Sequence, residues 1–215
     1  MCGREGVLVC PRCLFSLPQS QPSCLGCGAA SPFGQTCALC REAVAIDGLL
    51  TLSPFDDQRV QRLVKALKYD NVQGHIALWL EARHDVLFQF EQERVIVPIP
   101  LHKKREQHRG YNQSLVIARG LAGLMSWPVV PSLQRTRATE DQTLLTKQER
   151  LKNMAGAFAI DPALQWTVQG QNILLVDDVA TTGATLNAAA EKLTRSGAAS
   201  VWAFTLARAD QKEKP

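Results

Sequence analysis

The chain has 215 residues, 24 basic and 20 acidic side chains, a formal net charge of +4 and 46% hydrophobic content. Such a composition suits a soluble globular protein with one full core and room for a small appendage. It holds no run near the ~18 apolar residues of a spanning helix and opens without a signal-peptide block, so the expectation is a cytoplasmic protein with no membrane insertion.

The cysteines divide the chain. All seven fall within the first 40 residues, and six form C-x-x-C pairs: Cys10/Cys13, Cys24/Cys27 and Cys37/Cys40. Without an export signal thiols stay reduced, so the spacing points to metal rather than to disulfides. Zinc takes four thiolates in a tetrahedron, and two such knuckles about ten residues apart supply them. Nine residues separate Cys27 from Cys37 and ten separate Cys13 from Cys24, so spacing alone leaves the ligand set open. Residues 1–45 carry many turn formers and little periodicity, which predicts a small head that needs a metal to fold. A larger domain is expected over 46–209, with a disordered tail at 210–215.

Downstream, Asp56–Tyr69 places Val60, Leu63, Val64 and Leu67 on one helical face, and His75–Phe90 continues as a second helix. Arg94–Pro100 (RVIVPIP) reads as a buried strand entering a loop. A basic stretch follows, with Lys103, Lys104, Arg105 and Arg109 beside His102 and His108, at the strand end where open parallel sheets bind ligands. Asn112–Met125 is helical. Arg135–Arg150 is too charged for a core strand and too weakly patterned for an ordinary helix, which suits a mobile lid over an anionic ligand; Thr146 and Glu149 form a capping box within it. Asn172–Val176 (NILLV) is a second fully apolar strand, Thr185–Arg195 a helix, and Ser200–Ala207 a last buried strand. Apolar strands without alternation, separated by helices, predict an α/β fold around a parallel sheet.

The most informative segment joins the last strand–helix pair. Asp177 and Asp178 close the strand, and Ala180, Thr181, Thr182, Gly183, Ala184 and Thr185 follow, all small or hydroxylated. Small side chains let backbone amides approach a phosphate, threonine hydroxyls add donors, and the helix start faces inward. Carboxylates repel phosphate, so the two acids suit sugar hydroxyls or a magnesium ion. The loop lacks the Gly-Lys-Thr/Ser of a Walker loop and the G-x-G-x-x-G of a dinucleotide fold.

An apolar strand followed by D-D-x-x-T-T-G-x-T resembles the phosphoribosyl-diphosphate (PRPP) motif of type I phosphoribosyltransferases. The resemblance implies that Asp177 and Asp178 engage the ribose 2′ and 3′ hydroxyls, that Ala180–Thr185 holds the 5′-phosphate, and that magnesium accompanies PRPP. Taken together, V-P-I-P-L-H (97–102), R-G-Y-N-Q (109–113), R-x-R-x-T-x-x-Q (135–142) and the D-D loop resemble the ComF/GntX family of competence and DNA-utilisation proteins from about Phe55 to Arg208. The implied fold is a type I phosphoribosyltransferase domain with a zinc-ribbon-like head. By the same resemblance Pro100, Leu101 and His102 face the diphosphate, while Arg135, Arg137, Thr139, Gln142 and Arg150 belong to a flexible hood. Fuller heads in the family look like two successive ribbons, which favours Cys24, Cys27, Cys37 and Cys40 as the structural zinc ligands and leaves Cys10/Cys13 as half a ribbon.

Besides a non-catalytic sensor in which PRPP binding switches partner affinity, two functions follow as expectations. One is a PRPP-binding protein of DNA uptake in natural transformation, or of external DNA utilisation, that handles imported single-stranded DNA alongside uptake-machinery proteins. The other is a salvage phosphoribosyltransferase that joins PRPP to a free base. The motifs leave the catalytic residues unassigned, and DNA contact would fall to the basic strip Lys103, Lys104, Arg105 and Arg109.

Overall fold

A computed structural model describes residues 9–69, 73–87, 90, 92–136, 154 and 156–209. Its centre is a four-stranded parallel sheet of β1 (Gly48–Pro54), β2 (Val95–Pro98), β5 (Asn172–Ala180) and β6 (Ser200–Arg208), in the order β1-β6-β5-β2. The expected α/β class and parallel sheet are present. An antiparallel ribbon of β3 (Leu133–Arg135) and β4 (Phe158–Ile160) lies apart from it. Three-residue strands are too short to show a period, so neither was visible in the sequence.

The sheet is covered on both faces, which explains the missing alternation. Along β5, Leu174 and Val176 enter one apolar cluster, while Ile173 and Leu175 enter the other. Successive side chains point to opposite faces, so a strand buried on both sides must be apolar throughout. The first face packs against helices α2 (Gln58–Tyr69), α3 (Gln73–Glu81) and α5 (Gln113–Met125). Val60, Leu63, Val64 and Leu67 of α2 are all buried there, on the face their spacing predicts. The second face packs against α6 (Ala184–Arg195), whose Leu186, Ala189, Ala190 and Leu193 are buried.

Three expectations change. The second helix stops at Glu81, and a separate 3-10 turn covers His84–Leu87. The stretch expected as a basic loop contains helix α4 (Lys103–Arg109). Strand β5 runs on through both aspartates to Ala180, because its backbone keeps pairing with β6 as far as Arg208. The capping box at Thr146 falls outside the described residues.

The cysteine-rich segment packs on this framework. Short helix α1 (Pro11–Phe15) and its flanks place Val9, Leu14 and Leu17 in the first cluster, and Leu25 lies in the second. Ser20 donates its amide to Leu52 of β1. Leu174→Ala, which would empty a fully buried site in the central strand, is expected to cost about 2–5 kcal/mol. Urea unfolding should show a lower midpoint with the slope retained.

Candidate functional site

A cavity of about 350 Å³ opens at the carboxyl ends of the strands. Phe55 after β1, Ile99 and Leu101 after β2, and Asp177–Ala180 of β5 form its floor, and Thr181 and Gly183–Leu186 form one wall. Arg105 and Arg109 of α4, Gln113 of α5 and Arg135 of β3 complete it. Open parallel sheets offer ligand sites at this end, because loops and helix starts converge there.

The R-G-Y-N-Q segment holds α4 and α5 in place. Gly110 adopts φ +79, a left-handed turn between the helices that a β-carbon would strain. Tyr111 donates its hydroxyl proton to the Leu67 carbonyl at the end of α2. Asn112 caps α5 by accepting from the Ser114 amide at 3.0 Å, and its Nδ2 donates to the Ile99 carbonyl at 2.9 Å. The first turn of α5 is thereby fixed against the end of β2. Ser114 Oγ then donates to Asp177 Oδ1 at 2.9 Å, and Gln113 Nε2 lies 3.5 Å from Asp178 Oδ2.

Gln113 was not singled out as a site residue from the sequence, although it belongs to a motif that was. It is buried in the cavity wall, and its Oε1 has no hydrogen-bond partner among the described residues. An unpaired buried acceptor beside a buried carboxylate suits a donor supplied by a ligand. Asp178 is 7% exposed, and its Oδ1 accepts from the Val179 amide at 2.7 Å.

The small-residue loop borders the cavity, and its glycine has a neighbour that the sequence did not reveal. Gly183 sits at the N-cap of α6 in the left-handed region, φ +76. A β-carbon there would lie 2.7 Å from Leu25 Cδ1. The space that its missing side chain leaves is therefore filled from the cysteine knuckle, not kept solely for a phosphate. Thr181, Gly183, Ala184 and Thr185 still line the cavity; Thr182 does not, and its hydroxyl lies 3.4 Å from the Ala184 amide.

Of the expected basic strip, Arg105 and Arg109 line the cavity, four residues apart on one face of α4, while Lys103 is exposed. The helix splits a run that looked continuous as a loop. Of the expected diphosphate residues, Leu101 lines the cavity and Pro100 and His102 do not. Of the expected hood residues, Arg135 ends β3, while Arg137, Thr139, Gln142 and Arg150 lie outside the described residues. Burial, and then the positive charge of Arg105, push the Arg135 pKa down, against an opposing pull from Asp177. Guanidiniums that line one cavity favour an anion there. The cavity thus has a cationic side and an acidic floor.

Cys24, Cys27, Cys37 and Cys40 form a second constellation, with their sulfurs all within 4.8 Å of one another. The Cys37 amide points at Cys24 Sγ from 3.4 Å, and Cys27 Sγ lies 3.8 Å from Cys37 Sγ. Burial would raise the Cys24 thiol, but the amides of Cys27, Cys37 and Gly26 bring it down to about 6. Hydrogen bonding to Cys37, with burial and the other two thiols adding, pushes Cys40 up to about 12. Four sulfurs this close, from two C-x-x-C pairs, are a donor set that fits a closed tetrahedral zinc site. Gly28 turns at φ +76 after Cys27, as expected of a knuckle. Cys10 and Cys13 lie on and beside α1; Cys10 is buried and Cys13 packs against the first cluster.

Residues 112–215 match the phosphoribosyl transferase domain family. The chain is 38% identical over 115 residues to "DNA utilization protein YhgH" of Escherichia coli K12, covering 53% of this chain and 48% of that protein. It is 41% identical over 115 residues to "Competence protein ComFC" of Bacillus subtilis 168, covering 53% and 44%. These matches span about half the length of those relatives or less. A longer match, 32% identical over 216 residues, covers 95% of this chain and 86% of "DNA utilization protein YhgH" of Salmonella typhimurium LT2. Among the described residues, no helix is long and apolar enough to cross a membrane.

Elemental analysis of the purified chain is expected to find one zinc. Cys37→Ser should lose it, while Cys13→Ser, whose half-buried side chain packs against the first apolar cluster and lies outside the four-sulfur group, should retain it. Two zinc ions per parent chain would return Cys10 and Cys13 to the ligand set.

Proposed function

The chain belongs to the ComF family of competence and DNA-utilisation proteins, and from that premise we propose that it binds PRPP with magnesium and acts in DNA uptake or in the use of external DNA. The observation that carries the proposal is one cavity lined by Asp177 and Asp178, by Arg105, Arg109 and Arg135, and by a small-residue helix start. PRPP has the matching polarity: phosphates at its two ends and hydroxyls between them. In the proposed pose the 5′-phosphate lies against Thr181–Thr185, where backbone amides and the α6 start supply donors. The ribose hydroxyls and the magnesium shell turn to Asp177, Asp178 and the orphan Gln113 Oε1. The arginines offset the charge of the diphosphate. Imported single-stranded DNA is the proposed partner in a cytoplasmic setting, with Lys103 and Lys104 as its backbone contacts.

A salvage phosphoribosyltransferase is the second reading, and one observation favours it. Arg105, expected to face DNA, lines the cavity instead, where it would serve a diphosphate leaving group. Turnover with a panel of free bases separates the two: steady diphosphate release with one base supports salvage.

Calorimetry with PRPP-magnesium should show saturable binding, and Asp178→Asn should weaken it by about 1.5–3 kcal/mol, the scale of a charge-assisted hydrogen bond. Undiminished binding by that variant would remove the acids from the ligand. For DNA, replacing Lys103 and Lys104 with Ala should weaken binding uniformly across sequences. The salt slope should fall by up to ~1.4, at ~0.7 per lost single-strand contact. PRPP affinity should change little.

A further inference from the structure

The cysteine cluster and the small-residue loop lie at the same end of the sheet, joined by three sets of contacts. Leu25 lies between ligand candidates Cys24 and Cys27, and its side chain is 2% exposed. It fills the volume that a β-carbon on Gly183 would take. Arg208, at the end of β6, is buried and donates to the Ser23 carbonyl at 3.0 Å, Ser23 Oγ at 2.8 Å and the Cys24 carbonyl at 2.9 Å. The next residue, Ala209, donates its amide to the carbonyl of Ala180, the last residue of β5 before the loop, at 2.8 Å. On the far side, Asn187 in the first turns of α6 accepts from the Ala45 amide at 2.8 Å. The cysteine segment therefore touches the loop directly through Leu25, through the end of β6, and, just after the segment, through the contact of Ala45 with α6.

The knuckle itself depends on the cluster. It is irregular backbone, and Gly26 lies so close to Cys40 that a β-carbon would come within 2.7 Å of its sulfur. Short segments of this kind take their order from the ion they bind. We propose that the four-cysteine cluster and residues 181–186, the loop and the first turn of α6, are linked through Leu25 and Arg208. Metal at the cysteines orders the loop and raises its affinity for a phosphorylated ribose, and the ligand in return raises the affinity for metal. Leu25 and Arg208 are positioning residues: neither need touch the metal or the ligand. The ordering of the loop stands on the contacts alone, while the ligand half rests on the PRPP reading above.

Linkage between two sites is reciprocal, with typical coupling of about 5- to 150-fold. The test uses the full chain, zinc-loaded or stripped with a zinc-selective chelator, with PRPP-magnesium as the ligand probe. Amide hydrogen exchange is expected to rise across residues 181–186 on zinc removal, while β2 keeps its protection. PRPP should bind about tenfold more weakly to the stripped chain, and PRPP should raise zinc affinity by the same factor. Leu25→Ala should keep its zinc, bind PRPP more weakly, and no longer transmit PRPP binding to the metal. Leu25→Met, which refills the space against Gly183, should restore the coupling. Unchanged loop exchange after zinc removal overturns the proposal. So does exchange that rises equally in β2, which would mean general unfolding, and so does a zinc-loaded Leu25→Ala chain coupled like the parent. If the zinc-loaded parent binds no PRPP, the functional reading fails by itself, and loop exchange still decides the linkage.

Discussion

Two-sided burial of β5 determines where chemistry can occur. Ile173 through Val176 are fully enclosed between helical layers, and an ionised group placed among them would carry a desolvation cost with no partner to offset it. Charge becomes tolerable only where the covering helices begin and their free amides face the strand end. Asp177 and Asp178 occupy that point: Ser114 Oγ and the Val179 amide reach them there. The acids, the start of α5 and the start of α6 converge because the sheet permits polar groups nowhere closer to its middle.

The same end of the sheet carries the cysteine segment, and its fixings are mostly backbone carbonyls and amides rather than ion pairs. Arg208 is the clearest case. Its guanidinium holds the main chain of Ser23 and Cys24, so it ties the turn that carries Cys24 to the end of β6. Planar donors suit this work, because several carbonyls can be held in fixed relation by one rigid group. A lysine could not reproduce that geometry.

Much of this was legible in the sequence. Periodicity in Val60–Leu67 gave the buried face of α2, uninterrupted apolar runs gave the parallel strands, and C-x-x-C spacing gave a cysteine cluster. What was hidden depends on contacts between distant segments. Nothing local to Gly183 says that its neighbour is Leu25, because the two meet only after the sheet has formed. Lys103–Arg109 looked like a loop because seven charged or polar residues carry no apolar period; only the fold shows that Arg105 and Arg109 share a side. The strand β3, which takes Arg135 into the cavity wall, was obscured by the same charge that gives the residue its role.

Strand order has a consequence for the birth of the molecule. In the sheet β6 lies between β1 and β5, yet it is the last of the four strands in the chain. While the protein is being synthesised, β1 has no sheet partner and one side of β5 stays open until residues 200–208 leave the ribosome. Pairings this distant in sequence form slowly, and unpaired parallel strands invite association with other chains. A nascent chain stalled before residue 200 would present two exposed apolar edges and a knuckle without its arginine clamp, which makes it a natural client for chaperones.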